Sequence, residues 1–226
     1  MARPRVVLFD LMDTLVRDPY HELFEKVLPA YDISPRRFLA FKRQDSFEEF
    51  EKGEIDESEF FRRYYKDDLA QSTRDALPRP EKLKKHMYRS VPLFPGIEEL
   101  LRELRQPNPL QTSTQEGNVR LGIASNYSAW YHEIMRLRPE LKEGFHYYFF
   151  SCEMGVRKPA PRYYETIYSA LQNDLSDLQP RDLFFTDDRE TNIAPARDMG
   201  WHVHHFQGGE GLHQAVGVFL NAGSGD

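Results

Sequence analysis

The chain has a single cysteine, no long apolar run and no excess of basic residues, and each shortage excludes a class of protein. Cys152 alone cannot build an intramolecular disulfide framework and fits a reducing compartment. No run approaches the ~20 apolar residues of a membrane-spanning helix. Acids outnumber Lys and Arg by 36 to 30, a net charge of −6, so nothing attracts nucleic acid or an anionic membrane surface. Met1-Ala2-Arg3-Pro4-Arg5 runs straight into Val6-Val7-Leu8-Phe9, four apolar residues that are too few for a signal-peptide core. No transit peptide is expected ahead of the fold. The expected location is therefore cytoplasmic, with a plastid only if such a segment is missing from this chain.

The hydrophobic fraction is 40%, below the usual range, but aromatics make up 13% of the chain, enough to build a core and exclude disorder as the main state. At about 150 residues per domain, the 226 residues correspond to roughly 1.5 domains.

Val6 to Phe9 is an apolar run that ends in Asp10, the pattern of a buried parallel strand. Leu121 to Ala124 ends at Ser125-Asn126, Tyr147 to Phe150 at Ser151, and Leu183 to Thr186 at Asp187-Asp188. Trp201 to Phe206 is a fifth strand, interrupted by three His. Between the strands, Ala160-Pro161 opens a helix with Tyr164, Ile167, Tyr168 and Leu171 at helical spacing, and Asn192 to Met199 is a second, stopped by Gly200. The alternation predicts an α/β fold with a Rossmann-like three-layer core and a mostly parallel sheet.

Residues 17–91 carry no strand pattern. Ser34-Pro35 starts a helix with Phe38, Leu39 and Phe41 on one side, expected to run to about Glu51 and to break at Lys52-Gly53. Asp56 and Glu59 form a capping-box variant ahead of an apolar stripe of Phe60, Phe61, Tyr64 and Tyr65. The expected organisation is a core of residues 1–16 and 92–226, interrupted by a helical unit at 17–91. A further helix is expected at about Gly96 to Arg105. Gln106 to Asn118 reads as a mobile loop, and the acidic run Glu48 to Glu59 as a solvated helix face.

In open α/β sheets, ligands bind beyond the carboxyl ends of the strands. Those ends carry Asp10, Ser125-Asn126 and Asp187-Asp188, and Arg157-Lys158-Pro159 precedes a helix. One carboxylate can attack an electrophile. An acidic pair suits a hard cation such as Mg²⁺. Ser125 and Asn126 can donate to phosphate oxygens, and Lys158 can offset developing charge. Together these groups describe metal-assisted phosphoryl transfer.

Phe9-Asp10-Leu11-Met12-Asp13-Thr14-Leu15, Ala124-Ser125-Asn126, Arg157-Lys158-Pro159 and Phe185-Thr186-Asp187-Asp188-Arg189-Glu190-Thr191-Asn192 resemble the four ordered motifs of the haloacid dehalogenase-like (HAD-like) hydrolases. The helical unit resembles that family's small cap. The resemblance implies that Asp10 is the nucleophile, Ser125 binds the phosphoryl group and Lys158 bridges the two. Mg²⁺ would be held by Asp10, the main-chain carbonyl of Met12 and Asp188, with Asp187 in support. The expected substrate is a small phosphorylated metabolite, and the expected state a monomer or weak homodimer.

One position departs from the family pattern. Phosphatases of this kind carry an acid two residues after the nucleophile, to protonate the leaving oxygen and later activate water. Met12 stands there and can do neither; Asp13, one place on, is the substitute or merely a turn acid. A slow or impaired enzyme, or a binding protein with a dead site, are the alternatives. Dehalogenase or phosphomutase chemistry is another, though the Asp187-Asp188 pair speaks against dehalogenation. Phe9 to Tyr20, Phe50-Glu51-Lys52-Gly53, Asn126 to Tyr131 and Asp187-Asp188-Arg189 are also similar to plant-type members that hydrolyse flavin mononucleotide and share this Met.

Candidates for substrate selection are Arg17, Tyr20, His21 and Lys52, with Tyr127, Trp130 and Tyr131 able to stack on a flat ring or simply to pack a helix. His202 and His204 share a strand face and His205 points away, without a Cys or acid to complete a metal set. Cys152 reads as a small buried hydrophobe rather than a nucleophile.

Overall fold

A computed structural model describes residues 3–106 and 119–222. Five parallel strands form one sheet: β1 (Arg5–Phe9), β2 (Val119–Ser125), β3 (Phe145–Phe150), β4 (Leu183–Asp187) and β5 (His202–His205), in the order β3-β2-β1-β4-β5. Side chains alternate across β1. Val6 and Leu8 pack with Tyr163, Tyr164, Ile167 and Leu171 of helix Pro161–Asp174 on one face. Val7 and Phe9 pack on the other face with Ile97, Leu100 and Leu101 of helix Ile97–Leu104 and Val216 of helix Gly209–Asn221. The three-layer α/β core is thus as the sequence predicts, and each expected strand is present. Most of the expected loop, residues 107–118, lies outside the described residues.

The helices between β1 and β2 begin where their caps dictate. Ser34 Oγ accepts from Arg37 N at 3.3 Å with Pro35 in the first turn, and Asp56 Oδ1 accepts from Glu59 N at 2.8 Å. The single helix expected from Ser34 to Glu51 is two helices, Pro35–Phe41 and Gln44–Glu51. Lys42 and Arg43 between them are extended, and Lys42 bridges Tyr65. The break turns the Lys42 ammonium inward, over the rings of Tyr20, Phe47 and Tyr64, where it donates to Tyr20 Oη at 2.7 Å. Leu39, expected beside Phe38 and Phe41, is instead 53% exposed.

The helical part does not have a hydrophobic core of its own. Phe38, Phe50, Phe60 and Tyr64 belong to the same buried cluster as Val7 and Phe9. Trp130, from the loop after β2, lies edge-on to Phe50 at 5.4 Å and to Phe60 at 5.5 Å, and its indole N–H donates to Glu57. At Gly53 (φ +71°) a Cβ would stand 2.2 Å from the carbonyl oxygen of Cys152, so only glycine permits this approach. Among the described residues, no helix is long and apolar enough to cross a membrane.

Trp130→Ala should lower the unfolding free energy by about 3–5 kcal/mol, the range for truncating a buried aromatic. Urea denaturation followed by circular dichroism measures it, and a loss under ~1 kcal/mol would mean that Trp130 does not tie the two parts together.

Candidate active site

Sheet register assembles the site. Phe9 pairs with Ile123 on one side and Thr186 on the other, so the chain ends at Asp10, Ser125 and Asp187 emerge side by side. Asp10 N donates to Thr186 O at 2.8 Å. The sheet order turns at β1, which places the crevice at a topological switch point.

Lys158 closes the arrangement. Its buried ammonium donates to Asp10 Oδ1 at 2.8 Å, Asp187 Oδ2 at 2.5 Å and Ala124 O at 2.9 Å. Its main chain is clamped by Asn126, whose Oδ1 accepts from Lys158 N at 2.8 Å and whose Nδ2 donates to Lys158 O at 2.9 Å. Asn126 thus uses its side chain to position Lys158. Asp187 is fully buried and also accepts from Asn192 Nδ2 and from Arg189 N.

The electrostatics follow from burial. Burial pushes the Asp10 carboxyl up to about 7, against the pull of Lys158, and Asp187 adds to the rise. Asp188, half-buried, is pushed up to about 6 by burial and then by Asp187. Burial lowers the Lys158 ammonium, but the Asp10 and Asp187 carboxylates outweigh it and leave it raised, hence charged. Asp10, Asp187 and Asp188 each bring an oxygen within 4.8 Å of the others. Among the described residues they face one buried ammonium, Lys158, and the exposed Arg189 at 3.9 Å from Asp188. With all three acids ionised, three carboxylates against one ammonium leave two negative charges, the complement of a divalent cation with oxygen preference. Ser125 Oγ is buried beside the Asp10 carboxyl, whose pKa it helps to hold down, makes no well-formed hydrogen bond among the described residues and lines the same cavity, so it can donate to a ligand oxygen.

This cavity holds about 200 Å³. Strand-end residues and Met12 line it from the sheet, and Tyr20, Phe47, Phe50 and Glu51 from the helical part. Asp13 lines it too, at φ +52°, with its carboxylate bonded to Asp18 N at 3.0 Å and His21 Nε2 at 3.0 Å. Arg17 and Lys52 are not among the lining residues; they pair with Glu25 and Glu54. Tyr127 and Trp130 line the cavity, whereas Tyr131 stacks on Phe150 at 3.9 Å. His204 stacks along Phe184 and His205 Nε2 meets Asp188 O at 2.9 Å, so the histidines buttress β5. Cys152 is half-buried, and burial pushes its thiol up to about 11, the opposite of an activated nucleophile.

Sequence reasoning missed Asp18, Glu51, Arg157 and Arg189, all lining the cavity. Glu51 corrects the reading of Glu48 to Glu59 as a solvated face: Glu51 is 8% exposed. Arg157 and Arg189 adjoin motif residues, and that adjacency was the available signal.

The haloacid dehalogenase-like hydrolase family matches residues 4–200. The chain belongs to the haloacid dehalogenase-like hydrolases. It is 31% identical, over 92% of its length and 74% of the relative's, to flavin mononucleotide hydrolase 1 of Arabidopsis thaliana, whose name places that protein in chloroplasts. Its fold is similar to a HAD-like hydrolase from Porphyromonas gingivalis (TM-score 0.60, 20% identity, 97% and 98% of the two chains). It is also similar to a HAD family enzyme from Bacteroides thetaiotaomicron in complex with magnesium and inorganic phosphate (TM-score 0.57, 18% identity, 91% and 95%).

Lys158→Met in this HAD-like hydrolase should destabilise the fold by about 3–5 kcal/mol, because it leaves two buried carboxylates facing each other. Adding Asp187→Asn should recover part of the loss. Urea titrations of the two variants measure both, and a Lys158→Met protein as stable as wild type would show that the ammonium does not hold the site.

Proposed function

We propose that the protein hydrolyses a small phosphomonoester through an aspartyl-phosphate on Asp10, with flavin mononucleotide the foremost substrate. The carrying observation is the shared cavity. A carboxylate (Asp10), a buried ammonium (Lys158), a buried hydroxyl (Ser125) and a second carboxylate (Asp188) meet at the strand ends. Asp10, Asp188 and the Met12 carbonyl would hold Mg²⁺, which when bound neutralises phosphate charge and lowers the carboxyl pKa values.

Asp10 bonds to phosphorus as the ester oxygen leaves, and water then releases phosphate and restores the carboxylate. Lys158 keeps Asp10 oriented and offsets charge on the transferring group. Ser125 Oγ donates to a phosphoryl oxygen. Asp187 and Asn126 hold Lys158 from two sides. The helical insert acts as a cap whose Phe47, Phe50 and Tyr20 roof the cavity and exclude water. The likeness to a flavin mononucleotide hydrolase and the aromatic roof support a flat-ringed substrate.

Phosphate release from a panel of phosphorylated metabolites, with flavin mononucleotide included, tests this reading. Release should need Mg²⁺, stop on chelation and vanish in Asp10→Asn. Activity that survives chelation sinks the metal assignment, and activity in Asp10→Asn sinks the nucleophile.

A further inference from the structure

We propose that Glu51 is the proton donor and acceptor of the reaction, the group that the core lacks at Met12 and the helical insert supplies. The inference rests on the phosphomonoester reading above and goes beyond it by naming the acid–base.

Met12 lines the cavity at the place where a titratable group is needed and cannot exchange a proton. Asp13, the nearest acid in sequence, has both carboxylate oxygens engaged by Asp18 N and His21. Asp18 has one oxygen committed to Tyr20 N at 2.9 Å as a helix cap. Glu51 differs from both. Its side chain is 10% exposed, lines the cavity, and carries an Oε2 without a hydrogen-bond partner among the described residues. Arg157 Nη2 stands 3.1 Å from that oxygen, out of line for a hydrogen bond. A buried carboxyl oxygen that is ion-paired but not hydrogen-bonded is incompletely satisfied, which leaves it able to carry a proton.

The backbone fixes Glu51 in place. It ends helix Gln44–Glu51, and its carbonyl accepts from Ser151 Oγ at 2.6 Å. Two residues on, Gly53 is pressed against the Cys152 carbonyl, so the helix end is seated on the short helix Ser151–Met154 that follows β3. Arg157, which faces the Glu51 carboxyl, adjoins Lys158, which holds Asp10. One short segment of core therefore places both the nucleophile and the proposed acid.

The surroundings keep the carboxyl titratable near neutrality. Burial pushes it up to about 7; Arg157 and Arg189 pull it down, and Asp18 and Glu48 push it up. The buried Lys42 ammonium and the Tyr20 hydroxyl also face it electrostatically. A general acid serves best at such a value.

The steps balance. Asp10 bonds to phosphorus, the phosphorus–ester oxygen bond breaks, and the Glu51 proton goes to that oxygen to release an alcohol. A water oxygen then bonds to phosphorus, its proton passes to the Glu51 carboxylate, and the phosphorus–Asp10 bond breaks. One water is consumed, and both carboxyl groups return to their starting states.

A leaving-group comparison tests the proposal. Riboflavin leaves flavin mononucleotide as a poor alkoxide that needs protonation; the dinitrophenolate of 2,4-dinitrophenyl phosphate does not. Glu51→Gln should lower kcat/KM for flavin mononucleotide by about 100-fold or more, and that for dinitrophenyl phosphate by less than about tenfold. Equal losses on the two esters, or none on either, would overturn the assignment in favour of a structural or binding role. If Glu51→Gln does not fold, ¹³C carboxyl titration of the wild type decides: a Glu51 midpoint near 7 is required. A midpoint at the ordinary glutamate value rejects the role. A wild type inert with Mg²⁺ toward both esters and the whole panel of phosphorylated metabolites refutes the phosphomonoester reading itself, a result distinct from one confined to Glu51→Gln.

Discussion

The Lys158 ammonium is the point on which the site depends. It binds Asp10 at the end of β1, Ala124 O in β2 and Asp187 at the end of β4, so three strands converge on one charge. Burying an ion is costly, and the cost is offset only when every donor finds an acceptor. Here all three ammonium hydrogens have acceptors, two of them charged. The same charge keeps two carboxylates tolerable inside the protein. What remains uncompensated, with Asp188 counted, is the charge that a divalent cation would neutralise. Stability and chemistry are thus set by one group, and the local excess of acid is a property of the site rather than a defect of the core.

The parts legible in the sequence are those fixed by short-range pattern. Strands buried on both faces read as apolar runs, and their polar ends stand where the sheet stops, so Asp10, Ser125 and Asp187 could be placed before any geometry. Helix starts at Ser34 and Asp56 were legible because capping is local. The break at Lys42 was not, since it depends on rings of Tyr20, Phe47 and Tyr64 that come together only in three dimensions. Glu51 was missed for a related reason. Within an acidic run it resembles its solvated neighbours, and only the docking of its helix end on Ser151 buries it. Asn126 shows a third limit: its motif was legible, but the geometry uses its amide to clamp Lys158.

The helical insert and the sheet share one hydrophobic cluster, with Trp130 reaching from the core into the rings of Phe50 and Phe60. The residues that roof the cavity are therefore also residues that hold the fold together. Phe50 both roofs the cavity and packs the insert, so a change of the cavity lining there also acts on stability.

The volume of the cavity sets which part of a ligand it can enclose. About 200 Å³ suits a phosphate and its immediate neighbours but falls below the ~300–1,000 Å³ typical of pockets that enclose small organic ligands. A ligand larger than that would keep the rest of its body at the cavity mouth, so discrimination among large esters would fall to residues at the rim rather than to those that surround the phosphate.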